Sequence, residues 1–184
     1  AWFSERDIEI FAEKGLWAVT CPCSNAKLAS GIAPLERFEK RGVRLAVGTD
    51  GPASNNALDM FREMYLACVL QKLRLNDAAA CPAENILLAA CSGGARAMGL
   101  DGCDSLAEGK AADLAVISLH RPNMRPIHDV AKNLVYSGTR DNVRMTMVAG
   151  RILYENGEFR VGCDAEEIYA EAEKYTKELI ENEA

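Results

Sequence analysis

The stretch Gly48-Thr49-Asp50-Gly51-Pro52-Ala53-Ser54-Asn55-Asn56 gathers a carboxylate, two glycines, a proline and small polar residues directly after the apolar run Leu45-Ala46-Val47. In parallel α/β folds, functional groups sit at the carboxyl ends of strands. Asp50 is placed as such a group. Gly48 and Gly51 let the backbone turn sharply or approach a ligand closely. Ser54, Asn55 and Asn56 are small donors that can face a ligand or cap the helix that follows. Those two uses stay equally open for the three of them. For Asp50, position and glycine framing favour function over a simple turn cap. A second polar stretch, Thr20-Cys21-Pro22-Cys23-Ser24-Asn25-Ala26-Lys27, follows the preceding apolar segment. Two successive strand ends carrying polar loops predict one shared pocket mouth. Asn25 can line it or simply bond within its loop, and Lys27 reads slightly better as a solvated charge.

These residues need elements to position them. Ser4 starts a helix, with Asp7 in the capping-box position and Ile8, Phe11 and Ala12 on one face. Gly15 ends it. Leu16 to Thr20 reads as a buried strand, Pro34 to Arg41 as a short helix with Leu35 and Phe38 inward, and Val43 to Val47 as the next strand. Helices between strands that are mainly apolar, without a polar alternation, predict a parallel sheet under helices. Leu58 to about Leu75 reads as a long helix with Phe61, Met64, Tyr65, Cys68 and Leu73 on its apolar side. Pro82 opens another, ended by Gly99. The style changes near residue 103: Leu114 to Ile117 is a strand, Val143–Val148 and Arg151–Tyr154 flank an Ala149-Gly150 turn, and Asn156-Gly157 is a second turn signal. Asp164 to Glu183 is a charged helix. The predicted division is 1–102, 103–160 and 161–184.

The 184 residues are 49% hydrophobic and 26% charged, as in an ordinary globular protein with a real core. The net charge of -6 argues against nucleic-acid backbone binding. No apolar run approaches the ~20 residues of a membrane helix. Seven irregularly spaced cysteines argue against a disulfide framework and for reduced thiols in a cytoplasmic protein. Cys21-Pro22-Cys23 lacks the spacing and the second pair of a structural zinc site, so small buried hydrophobes is the better reading. His120 and His128 read as loop or capping groups. Ala1, with a helix almost at once, reads as the tail end of something longer.

The runs SNAKLASGIAP and GTDGPASNNALDMFREM, with SLAEGKAADL, HDV, LVY and VAGR further on, resemble the amidohydrolase superfamily, and within it the 5-methylthioadenosine/S-adenosylhomocysteine deaminase branch. The resemblance runs from about Ser4 to Phe159. It implies an α/β fold: the C-terminal part of a metal-dependent (β/α)8 TIM barrel plus part of a small β-sandwich. It implies that Asp50 closes the last barrel strand, binds Zn2+ or another divalent metal such as Fe2+, and relays protons. Ser54 matches a position near the substrate, and Asn25 is a weaker carry-over. The implied substrate is a small nucleoside, with self-association as a further expectation. The departures are clear. The family's His-x-His pair, two further histidines and a catalytic Glu have no counterpart here, and Thr20 stands where many relatives have His. Asp50 alone cannot hold a catalytic zinc, which needs three protein ligands. On this reading the chain is inactive by itself. Two alternatives stand beside it: another amidohydrolase, of guanine-deaminase or triazine-chlorohydrolase type, or a non-catalytic half-barrel that binds a partner chain.

Overall fold

The computed structural model describes residues 1–183. Its first half is a βαβ arrangement. Helix α1 (Glu5–Glu13) leads to β1 (Trp17–Thr20), then α2 (Pro22–Lys27), α3 (Leu35–Lys40) and β2 (Arg44–Val47). β1 and β2 pair in parallel, from Trp17 opposite Arg44 to Thr20 opposite Val47. Helix α4 (Met60–Leu75) follows. Then α5 (Ala83–Leu88) runs through a π turn at Ala89–Gly93 into α6 (Gly94–Ala97). The second half is an antiparallel sheet of β3 (Leu114–Ile117), β4 (Val143–Val148), β5 (Arg151–Glu155) and β6 (Glu158–Phe159), in that order. Helix α7 (Val130–Ser137) lies between β3 and β4, and α8 (Ala165–Glu183) closes the described chain. The expected class, a partial α/β fold, is the one observed, and one four-stranded antiparallel sheet stands where part of a small β-sandwich is expected.

Local chemistry sets the element ends. Ser4 and Asp7 form the complete capping box of α1. The Asp59 carboxylate accepts from the Phe61 amide to start α4, and Asn76 ends it in the left-handed region at φ 51°. Ala149 and Gly150 both have positive φ, as do Asn156 and Gly157, which suits tight hairpin turns between right-twisted strands. Two helices escaped the sequence reading. α2 was expected as a polar loop, because six residues are too few to show a period. α7 begins at Asp129, whose carboxylate accepts from the Lys132 amide. Among the described residues no helix is long and apolar enough to cross a membrane.

The core gathers Ile8, Leu35, Phe38, Val43, Val47, Met64, Cys68, Ile86 and Val135. Two expectations about burial need correction. Val19 was expected inside a buried strand and is 55% exposed, because no third strand covers that side of β1 among the described residues. In α4 the buried face is Glu63, Met64, Ala67, Cys68 and Gln71, whereas Tyr65 and Leu73 are exposed. The two polar members of that face reach across to loops. The Gln71 amide, for example, donates to the Ala33 carbonyl at 2.7 Å.

The π turn packs directly on β2. A Cβ built on Gly93 would sit 2.4 Å from the Leu45 carbonyl oxygen, while one on Gly94 would meet open space. Neighbouring substitutions should therefore act with opposite signs. Gly93→Ala is expected to destabilise by about 1–3 kcal/mol, the usual cost of forced overpacking. Gly94→Ala should stabilise by roughly 0.5–1 kcal/mol, because Ala loses less entropy in a helix. Urea unfolding of the two variants checks both.

Asp104 ties α6 to the segment entering β3. Its carboxylate accepts from Arg96 at 2.7 and 2.6 Å, from Lys110 at 2.5 Å and from Ser105 at 3.0 Å, and its side chain is only 4% exposed. Lys110 first, then Arg96, hold this carboxyl well below the usual carboxylate range. A depressed folded value gives stability that is present above the unfolded value, about 3.9, and is lost as pH falls through the folded one. Asp104→Asn should lower the thermal midpoint at pH 7. The gap to wild type should close as pH drops below about 4, which a pH series of melts would record.

Candidate active site

Asp50 lies two residues beyond Gly48, whose amide extends the β1–β2 ladder by donating to Thr20 O at 2.9 Å. Its backbone takes the left-handed region at φ 60°. Asp is among the few non-glycine residues that adopt this readily, and such outliers cluster at functional sites. A Cβ on Gly48 would be a tight fit, 3.2 Å from Val19 Cγ1 and 3.3 Å from Cys21 Sγ.

Two hydroxyls converge on one carboxylate oxygen. Ser24 Oγ, from α2, donates to Asp50 Oδ2 at 2.8 Å, and Ser54 Oγ, from the loop after β2, reaches the same atom at 2.8 Å. The Ser24 hydroxyl first, then Ser54 and the Gly51 amide, hold the Asp50 carboxyl below the usual carboxylate range. It is thus ionised at neutral pH while remaining exposed to solvent. An exposed anion with its back pinned by hydroxyls is a fixed acceptor for a cation or a proton.

The loops around it are tied together from behind. Asn55 is buried and donates to Thr49 O at 2.7 Å and to Glu63 Oε1 at 2.5 Å. The Cys23 amide donates to Glu63 Oε2 at 3.0 Å. Lys27 Nζ donates to Ala53 O at 3.1 Å and Asn56 Oδ1 at 2.7 Å, so it stitches the Asp50 loop to α2. The Cys23 thiol is pushed up to about 12, by burial first and then by Glu63, and burial also raises Cys21. Neither thiol is a thiolate at neutral pH, in keeping with their reading as small hydrophobes.

The structure therefore brings Ser54 to Asp50. Asn25 sits in α2 at the same end of the sheet, but no hydrogen bond joins it to Asp50 among the described residues. It borders a water-sized cavity with Thr20, Ile32 and Gln71. His120 and His128 lie on the loop before α7, His120 Nδ1 being 3.2 Å from Arg125 Nη2. Ser24 and Glu63 were missed by sequence reasoning. The signal for Glu63 is its alignment with Ala67 and Gln71, one turn apart on the face that also carries Met64. Among the described residues no three His, Cys, Asp or Glu side chains are grouped to hold a metal. Asp50 offers one ligand where a catalytic zinc needs three, so these residues alone do not fit the ion.

The sequence pattern of the Amidohydrolase family matches residues 1–153. A curated relative from Natronomonas pharaonis, named 5-methylthioadenosine/S-adenosylhomocysteine deaminase, is 44% identical over 96% of this chain and 40% of its own length. One from Methanosarcina mazei, named 5'-deoxyadenosine deaminase, is 41% identical over 97% of this chain and 41% of its own length. The crystal structure of an adenosine deaminase from Xanthomonas campestris with bound zinc superposes with a TM-score of 0.90. It is 39% identical, and the match covers 96% of this chain and 40% of that one. The chain thus spans about 40% of the length of the curated relatives it matches.

Proposed function

The chain belongs to the amidohydrolase family, and on that premise we propose that it is a portion of a divalent-metal hydrolase of carbon–nitrogen (non-peptide) bonds that deaminates an adenosine-type nucleoside. The observation that carries this reading is the ionised Asp50 carboxylate, fixed by Ser24 and Ser54 just past the end of a parallel strand. The relatives' names support the nucleoside, and the zinc in the Xanthomonas campestris structure supports Zn2+ or a similar divalent metal. Such an ion, if held, would supply activation of the attacking water. Asp50 would be one of its ligands, the others lying outside these 184 residues.

The reaction is hydrolytic. Water adds at C6 of the purine, the C6–N bond breaks, and ammonia leaves with an oxo group in its place. In this reading Asp50 accepts a proton from the attacking water and returns it to the departing nitrogen, work suited to an ionised, fixed carboxylate. Ser54 keeps its proton on Asp50 and turns its lone pairs toward the nucleoside. Asn25 contacts the nucleoside from α2. The same reading assigns residues 1–102 to the barrel portion, 103–160 to the β-sandwich portion and 161–184 to the terminal helix.

The test is metal content and ammonia release by the complete polypeptide that carries these residues. The substrates are 5-methylthioadenosine, S-adenosylhomocysteine, 5'-deoxyadenosine and guanine. Bound metal with release from the adenosine-type nucleosides alone is the expected result. Release from guanine alone would replace the substrate, and a metal-free protein without turnover would leave Asp50 as a turn residue.

A further inference from the structure

We propose that Glu63 is a positioning residue for the Asp50 site, a fully buried carboxyl group in α4 that ties together the two segments whose hydroxyls hold Asp50. The inference rests on the reading of Asp50 as the working carboxylate.

Glu63 is 0% exposed. Acidic residues are almost never so buried without partners. Its two partners come from different segments, helix α2 and the loop after β2: the Cys23 amide on Oε2 at 3.0 Å and the Asn55 side-chain amide on Oε1 at 2.5 Å. Each partner is the chain neighbour of a hydroxyl that reaches Asp50. Cys23 precedes Ser24, Asn55 follows Ser54, and both serines donate to Asp50 Oδ2 at 2.8 Å. The connections close a ring through Glu63, Cys23, Ser24, Asp50, Ser54 and Asn55. Asn55 adds a cross-tie to Thr49 O at 2.7 Å, directly before Asp50.

The residue type follows from the partners. Both are donors, so the central group must accept twice, and only a carboxyl side chain has two acceptor oxygens. A glutamine of the same shape would set its NH2 against one of the two N–H groups. An apolar residue would leave two buried donors unpaired. Glu63 stands in the first turn of α4, where a negative charge interacts favourably with the helix dipole. The dipole does not require full burial or bonds to two distant segments. The ring explains why an acid lies in the middle of the buried face of α4.

Amide hydrogen exchange and steady-state kinetics, both on the complete polypeptide, test this with Glu63→Gln and Asn55→Ala. Exchange at Cys23 and across residues 49–55 should rise by about tenfold or more in each variant, with the core amides of Ala67, Ile86 and Val135 unchanged. In the kinetics, kcat should fall by about 10²-fold with a smaller change in KM, as for a misplaced reacting group. Adding Glu63→Gln to the Ser24→Ala/Ser54→Ala double variant should cost little more, because all act through the same ring. Uniform exchange increases, or losses that add to those of the serine variants, would overturn the proposal and leave Glu63 a general stabiliser. If Glu63→Gln does not fold, Asn55→Ala decides alone, since it cuts one arm only. The exchange measurement needs no turnover. A complete polypeptide that deaminates nothing therefore sinks the deaminase reading, while the tie itself is judged by exchange.

Discussion

Asp50→Asn is expected to lower deamination by the complete polypeptide on the order of 10³-fold or more, the scale of losing a general base, with the fold retained. The substitution separates charge from shape. The Asn carbonyl oxygen can still accept from Ser24 and Ser54, which both donate to Oδ2 in the native site. Asn also tolerates the left-handed backbone that Asp50 adopts at φ 60°. What disappears is the negative charge. Metal content should fall with activity if Asp50 is a ligand, and thermal unfolding should show little change. Asp50→Ala is the blunter variant, because it leaves both hydroxyls without their acceptor and strains a non-glycine backbone. Retained ammonia release in Asp50→Asn would end the catalytic role of this carboxylate.

Phe38→Ala should give the largest loss of stability, about 3–5 kcal/mol, the usual range for a buried aromatic truncated to Ala. Phe38 is 1% exposed within α3 and stacks edge-on against Phe3, ring centroids 5.0 Å apart at 88°. Phe3 in turn meets Phe11 of α1 at 5.6 Å and 89°. Such pairs add to area burial, so the truncation loses a stack as well as apolar contact. The three rings join both helices to the start of the chain, and Phe38 and Phe3 border a hollow of about 250 Å³ beside β1. A cavity opened there merges with existing space and cannot easily collapse. For a chain of this size the thermal midpoint should drop on the order of 10 °C. A shift of only a degree or two would mean that the α1–α3 layer does not support the sheet.

Much was legible in the sequence where the signal is local. The Ser4–Asp7 capping box, the Ala149-Gly150 turn, the inward Leu35 and Phe38, and the apolar strands β1 and β2 follow from side-chain chemistry within a few residues. The place of Asp50 at the end of a parallel strand was legible too, since strand, glycine frame and helix start are contiguous. Val19 was misjudged because burial depends on what covers a strand, and no neighbour of β1 other than β2 lies among the described residues.

The sequence by itself thus determined the class of fold and pointed to the Asp50 carboxylate at a strand end, because both are written in short-range patterns of polarity and backbone preference. Only the tertiary structure decided what holds that carboxylate. Ser24 lies 26 residues from Asp50, and Cys23 lies 40 from Glu63. Both contacts form only once parallel pairing sets β1 beside β2 and α4 packs behind them. A hydrogen bond between distant residues leaves no periodicity to read, and an acid on a helix face shows its burial only when the segments it binds have closed over it.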